Sequence, residues 1–277
     1  MARLFGFIGN RPDLGSRVLE AEAAVVFSPV GAGTFGWGVG HYQGGEVLLR
    51  RRPVDENPVG GLSAALVGVR SDALLAHIRR ATVGGHRTEN TQPFRYRQYL
   101  FAHTGSVAAF AALRRRLIES LPDFLQRSVR GDTDSELLFH LFLSFLHDAG
   151  NLNALGLDSA SVRGALRSSL SLVERLSAEE GAGPSPFQVA ITDGEQVVVA
   201  HAGDRLVYRQ LVGRADLEDV LGDDRLRRVR IPDMASCRFL LFAAALEHPL
   251  ATPGFTEVPV GSIVTFTRAS EPVVEPL

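Results

Sequence analysis

Lysine is absent from this 277-residue chain, so all 29 basic residues are arginine. We attribute this bias to a genome rich in G and C, and we expect a bacterial source. The arginines are nearly balanced by 31 acidic residues, which leaves a formal net charge of -2. Such a balance provides no global attraction to nucleic acid or to an anionic membrane surface, so neither is an expected partner.

Cysteine occurs once, at Cys237. The chain can therefore form neither an intramolecular disulfide nor a cysteine-based zinc cluster. The eight histidines are scattered without the spacing of metal ligands, so we expect no metal and no cofactor. There is no basic-then-apolar signal region and no apolar run long enough to cross a bilayer, which makes the cytoplasm the expected location.

The run of apolar residues at the start of the chain, Leu4–Ile8, is closed by the turn signal Gly9-Asn10. This pattern predicts a buried strand close to the N-terminus. Chain termini usually fray unless they are tied into a sheet. A terminus held in a core is what N-terminal nucleophile enzymes require, because their first residue attacks the substrate and its α-amine takes the proton.

Further strands and helices are predicted along the rest of the chain. Gly44-Gly45 and Asp193-Gly194 separate strand-like runs and are typical of hairpin turns. Helical spacing covers 108–121 and 161–178, and the Asp and Ser residues before the apolar segment 137–146 are typical of a helix start. The other predicted strands are Ala73–Ile78, Tyr99–Ala102, Leu206–Leu211, Phe239–Ala245 and, as the last, Ser262–Thr267.

The order of the predicted elements is strands, then helices, then strands, which suits stacked layers. We find no internal repeat and no low-complexity linker, so we expect a single domain over residues 1–277. Residues 216–230 form a charged insertion whose structure the pattern does not predict, and the role of residues 211–235 stays open.

Four short motifs stand out along the chain: Met1-Ala2-Arg3-Leu4-Phe5-Gly6, Arg79-Arg80-Ala81-Thr82, His103-Thr104-Gly105 and Thr133-Asp134-Ser135-Glu136. They resemble motifs of the class II glutamine amidotransferases, which belong to the N-terminal nucleophile hydrolases. In the same order, the family typically carries Met-Cys-Arg-Leu-Phe-Gly, Arg-x-Ala-Thr, His-Asn-Gly and Thr-Asp-Ser-Glu. The resemblance covers nearly the whole chain and implies an α+β fold, a four-layer αββα sandwich of two antiparallel sheets.

The resemblance also implies a set of substrate-binding residues. Arg79 lies on the position that binds the α-carboxylate of glutamine, a task that suits the rigid fork of a guanidinium group. Thr82 lies on the family's Thr, and Asp134 lies on the Asp that receives the α-ammonium group. The structural alternatives are that Arg79 and Arg80 form a surface pair, and that Asp132 or Asp134 caps a helix.

Three positions depart from the family pattern. Ala2 stands where the family has its nucleophilic Cys, and a methyl group cannot attack an amide. Thr104 stands where an Asn side chain forms the oxyanion hole with the N–H of the next residue, and that residue, Gly105, is kept. Gln92 stands where the family usually has His. A deliberate inactivation would change the nucleophile alone, so three departures favour natural drift after loss of catalysis.

We therefore predict a catalytically silent relative of these enzymes, a binding or regulatory module that still takes glutamine or a γ-glutamyl compound and has an unidentified protein partner. The alternative is an active glutamine or γ-glutamyl amide hydrolase in which Ala2 replaces a native Cys. Cys237 is a poor substitute nucleophile, because its place before an apolar strand predicts burial. A third possibility is a structural subunit whose pocket has closed.

Overall fold

The computed structural model describes residues 2–222, 234–246 and 251–277. Thirteen strands lie in this part of the chain: β1 (Arg3–Gly9), β2 (Phe35–Gln43), β3 (Glu46–Asp55), β4 (Ala73–Arg80), β5 (Phe94–Tyr96), β6 (Tyr99–Gly105), β7 (Phe187–Thr192), β8 (Gln196–Ala202), β9 (Arg205–Val212), β10 (Arg238–Leu246), β11 (Thr256–Glu257), β12 (Ser262–Thr267) and β13 (Val273–Pro276).

Eight α-helices accompany these strands in the described residues: α1 (Gly15–Ala21), α2 (Ala23–Val26), α3 (Pro58–Leu66), α4 (Phe110–Glu119), α5 (Asp123–Gln126), α6 (Asp134–Asp148), α7 (Ser159–Glu179) and α8 (Gly213–Leu221). None of the helices in the described ranges has the length and apolar character needed to span a membrane.

The strands form two antiparallel sheets that lie face to face. One sheet has seven strands in the order β11-β9-β10-β1-β4-β2-β3, and the other has six in the order β13-β12-β8-β7-β6-β5. One apolar cluster lies between the two sheets. A second packs α1, α2, α3 and α8 onto the seven-stranded sheet, and a third packs α4 to α7 onto the six-stranded sheet. The predicted αββα sandwich is confirmed.

Strand β1 occupies the centre of the seven-stranded sheet, where it pairs with β10 on one side and β4 on the other. Every residue of the strand is buried, which confirms the strand predicted from the opening run. Phe5 and Phe7 pack against the helices, while Leu4 and Ile8 face the other sheet. The alternation places residue 2 at the open end of the space between the sheets.

Glycines at alternate positions of β2 allow the two sheets to approach each other. A Cβ atom on Gly38 would lie 2.1 Å from the carbonyl oxygen of Gln92, and one on Gly40 would lie 2.7 Å from the side chain of Leu100. Trp37 and Val39 point the other way, into the core beneath the helices. The Gly-rich stretch is thus a close contact between layers.

We predict that Gly38→Ala lowers the free energy of unfolding by about 1–3 kcal/mol, because the new methyl group meets a backbone carbonyl that cannot rotate away. Gly164→Ala in α7 is the matched control, since no atom lies within 4 Å of its added Cβ and Ala favours a helix interior. Equilibrium denaturation in urea measures both variants. Equal stability of the two variants would contradict the close contact.

One prediction near the C-terminus is wrong, and one stretch that the pattern left open is described in part. Ser262–Thr267 is not the last strand, because β13 follows it and pairs with it, Val274 opposite Val264. The prolines at both ends of the short segment Pro272–Pro276 interrupt the strand pattern, so the sequence did not predict β13. The start of the charged insertion is helical in α8, and its residues 223–230 lie outside the described residues.

Candidate functional site

A cavity of about 360 Å³ opens between the two sheets at the end where β1 begins. All six site residues that the motifs nominate line this cavity: Ala2, Arg79, Thr82, Thr104, Gly105 and Asp134. They come from four separate parts of the chain. The sheet pairing explains why they meet: β1 and β4 run antiparallel with Arg3 opposite Ile78, so Ala2 lies beside Arg79.

Arg79 is buried, with 5% of its surface exposed, whereas Arg80 is exposed. The structural alternative of a surface pair is therefore wrong for Arg79. Its guanidinium donates hydrogen bonds to three carbonyl oxygens of one loop, those of Val83 (2.7 Å), Gly84 (3.3 Å) and Gly85 (3.2 Å). Burial lowers the pKa of Arg79, and the nearby charge of Asp134 opposes that shift.

Asp134 begins helix α6 but does not cap it. The cap is Thr133, whose side-chain oxygen accepts from the N–H of Glu136, so the structural alternative of capping by Asp132 or Asp134 is wrong. The Glu136 carboxylate in turn accepts from two backbone N–H groups of the preceding loop. Thr133 thus caps the helix, and Glu136 fixes the loop that leads into it.

The Asp134 carboxylate is therefore available to the cavity wall. One oxygen accepts from the N–H of Val107 at 2.8 Å, and the other accepts from the N–H of Ser135 at 2.8 Å. The Val107 bond joins the start of α6 to the segment that follows β6. With Arg79 across the cavity, the wall presents a buried cation and a buried anion, which suits a zwitterion such as an α-amino acid.

The segment His103–Gly105 ends β6 at the cavity. Gly105 has a φ of 126°, and a Cβ there would lie 2.4 Å from the carbonyl oxygen of Pro186, so only glycine fits. The Thr104 hydroxyl donates to the side-chain oxygen of Gln188 at 3.4 Å. The donor that could have substituted for an Asn amide is thus engaged with the neighbouring strand.

No thiol lies in the cavity. Ala2, the residue directly before β1, contributes only a methyl group to the cavity wall. Cys237 is 1% exposed and packs in the core between the seven-stranded sheet and its helices. Burial raises the pKa of its thiol, which makes the thiolate harder to form. The prediction that Cys237 is buried is confirmed.

Several residues of the cavity wall received no role from the sequence, among them His77, His103, Ser106 and Ser135. The ring Nδ1 of His103 lies 2.9 Å from the Ser135 hydroxyl, and the Ser106 hydroxyl lies 3.2 Å from that of Thr82. His103 and Ser135 stand inside two of the motifs, so the motifs could have drawn attention to them.

Within the described ranges, no group of three or more His, Cys, Asp or Glu side chains could hold a metal ion.

Comparisons with known proteins agree with this geometry. The family model described as glutamine amidotransferases class-II matches residues 26–227. The chain is 30% identical over 227 residues to the probable glutamine amidotransferase DUG3 of Saccharomyces cerevisiae. That match covers 75% of this chain and 60% of the yeast protein, so the chain spans less than two thirds of that relative's length.

Two solved structures share the fold. A glutamine aminotransferase class-II domain protein from Silicibacter pomeroyi has a TM-score of 0.62 at 21% identity, covering 99% of this chain and 98% of that one. The glutamine phosphoribosylpyrophosphate amidotransferase of B. subtilis has a TM-score of 0.58 at 16% identity, covering 99% of this chain and 49% of the enzyme. At these identities the likeness concerns the fold alone.

Proposed function

Because this chain belongs to the class II glutamine amidotransferase family, we propose that it binds glutamine or a γ-glutamyl compound in the cavity without cleaving it. In this proposal, residues 1–277 form one amidotransferase-like domain that acts as a binding or regulatory module. The pairing of the N-terminal β1 with β10 supports a single domain, because it closes one sheet from both ends of the chain.

One observation carries the proposal: the cavity wall holds groups that suit the amino-acid end of a ligand, together with a methyl group instead of a thiol at residue 2. Arg79 and Asp134 are buried in its wall. Ala2 supplies no nucleophile, and the Thr104 hydroxyl is held by Gln188. We assign the α-carboxylate to Arg79 and the α-ammonium group to Asp134, with Thr82 beside them at the rim.

The Arg79 loop bonds are compatible with this role. A guanidinium group carries five N–H donors. The loop carbonyl groups engage both N–H groups of Nη2 and one of Nη1, so the Nε donor and the second Nη1 donor are not used by the loop. The loop thus holds the fork in place while donors stay available for a carboxylate.

A cytoplasmic location, a bacterial source and a protein partner stay predictions from the sequence.

Calorimetric titration with L-glutamine tests the proposal. We expect Arg79→Ala to weaken binding about 10- to 100-fold, which corresponds to the loss of hydrogen bonds to a charged group. Arg163→Ala is the matched control, because Arg163 is also a shielded arginine but bonds to Thr265 and Glu275 outside the cavity. Equal affinity in Arg79→Ala and the unmodified chain would contradict the assignment of Arg79.

Two further results would contradict the proposal as a whole. Absence of heat with both L-glutamine and a γ-glutamyl dipeptide would show that the cavity is vestigial and would direct attention to protein partners. Release of glutamate from L-glutamine by the unmodified chain would show that catalysis survives.

A further inference from the structure

Gln92 continues the pairing of β5 with β6 by means of its side chain. The register places Phe94 opposite Phe101, so residue 92 falls opposite His103. The backbone of Gln92 turns away there, with its carbonyl group packed on Gly38. The side-chain amide takes over: Oε1 accepts from the His103 N–H at 2.5 Å, and Nε2 donates to the His103 carbonyl oxygen at 2.9 Å.

This pair of bonds reproduces the exchange that two backbone amides make in an antiparallel sheet. A primary amide can do so because it has one acceptor and donors in one plane, as a peptide group has. Gln92 is 4% exposed, so a group that left either His103 atom without a partner would leave a buried polar group unsatisfied.

The same amide also reaches helix α6. Its Nε2 donates to the Ser135 hydroxyl at 3.3 Å, and Ser135 donates its backbone N–H to Asp134. The Ser135 hydroxyl in addition contacts the ring of His103. One side chain therefore joins the end of β6 to the start of α6, the two walls of the cavity that carry Gly105 and Asp134.

We propose that Gln92 is a positioning residue: its amide sets the spacing between the segment 103–105 and Asp134, and thereby the affinity of the cavity for its ligand. This proposal rests on the proposed binding function. It also changes the interpretation of the departure at residue 92. The bonds of Gln92 give the glutamine at this position a structural reason, because its donor and its acceptor both match the backbone of His103.

The test compares Gln92→Leu with Gln196→Leu. Gln196 is an equally buried glutamine, 4% exposed, and bonds to the carbonyl oxygen of Leu157 away from the cavity. We expect Gln92→Leu to weaken L-glutamine binding about tenfold, the net value of one or two hydrogen bonds, and to speed amide hydrogen exchange at residues 103–105. Gln196→Leu should leave the affinity for L-glutamine and the hydrogen exchange at residues 103–105 unchanged, although it should lower the free energy of unfolding by an amount comparable to that of Gln92→Leu.

The variant Gln92→Glu tests the positioning role through the pH dependence of ligand binding, which a purely structural role of Gln92 would not change. Its ionised carboxylate faces the His103 carbonyl oxygen without a donor, whereas its protonated form regains one donor and one acceptor. Relative to the unmodified chain at the same pH, binding by Gln92→Glu should be weak at about pH 8 and recover towards about pH 5.5.

The outcomes separate this proposal from the binding function. If Gln92→Leu binds L-glutamine as tightly as the unmodified chain, Gln92 does not position the site and the proposal is overturned. If the unmodified chain binds no ligand, the binding function fails, and hydrogen exchange decides the positioning role: faster exchange at residues 103–105 in Gln92→Leu supports it, and unchanged exchange overturns it.

Discussion

Glutaminase turnover is expected to appear when Ala2→Cys and Thr104→Asn are introduced together. The register of β1 and β4 places residue 2 beside Arg79, so a thiol there would face a ligand held by Arg79 and Asp134. A thiolate can attack the amide, with the α-amine of residue 2 as the base. The Thr104→Asn change would supply an amide donor next to the N–H of Gly105, where the tetrahedral intermediate carries its negative charge.

Each single variant should hydrolyse L-glutamine more slowly than the double variant. Ala2→Cys alone has a nucleophile but lacks one oxyanion donor, so we expect turnover about 10²- to 10³-fold slower than in the double variant. Thr104→Asn alone should show none. Release of glutamate from L-glutamine measures the rates, and intact mass checks that Met1 has been removed from each protein.

Arg79→Ala added to the double variant is the control for a site-specific reaction, and it should reduce turnover in line with its effect on binding. A double variant that binds L-glutamine without hydrolysing it would show that the cavity holds the ligand with its amide away from residue 2. Hydrolysis by the unmodified chain at a comparable rate would favour the alternative of an active amide hydrolase.

Acid should destabilise this protein strongly, and His77 is expected to be a main cause. The ring is 2% exposed, and neither ring nitrogen has a hydrogen-bond partner within the described residues. Burial, together with the nearby His103 and Arg79, lowers the pKa of His77 from 6.5 to about 3. The folded chain therefore keeps this ring neutral at pH values where the unfolded chain protonates it.

Whether stability rises or falls with pH depends on which state, folded or unfolded, binds the proton more readily. Between the two pKa values the unfolded state binds more protons, so stability is fully present above the unfolded pKa and falls as the pH drops through this range. The loss is about 1.4 kcal/mol per pH unit for one group. Between about pH 8 and about pH 4.5, His77 alone should account for about 2–3 kcal/mol.

Urea denaturation at both pH values checks this expectation with His77→Leu. The difference in unfolding free energy between the two pH values should be about 2–3 kcal/mol smaller in His77→Leu than in the unmodified chain. His86→Leu, at an exposed histidine, is the control. An unchanged pH dependence in His77→Leu would mean that the ring takes up its proton over the same pH range in the folded and in the unfolded chain.

The layers of the fold were open to prediction because apolar periodicity is local. The run Leu4–Ile8 predicts a buried strand without reference to any other part of the chain, and the structure confirms it. The helix that begins at Asp134 was likewise predicted from its polar start and apolar body. Strand β13 was missed because a short edge strand between prolines is held by its neighbour β12 and has little pattern of its own.

The identity of the helix cap could not be decided locally. Asp132, Thr133 and Asp134 are all good capping residues and stand next to one another. The backbone decides between them: Thr133 has the extended conformation of a cap, with φ -91° and ψ 149°. That choice leaves the Asp134 carboxylate to the cavity.

The sequence by itself nominated the six residues of the site and, through the family resemblance of its motifs, the αββα layers, because short motifs and the patterns of single strands and helices are contained in neighbouring residues. Tertiary structure alone decided which bonds those residues make. Thr104 bonds to Gln188, 84 positions away, and Gln92 pairs with His103 through its side chain. Such partners depend on strand register and on how closely two sheets approach, and both are set only when distant segments pack together.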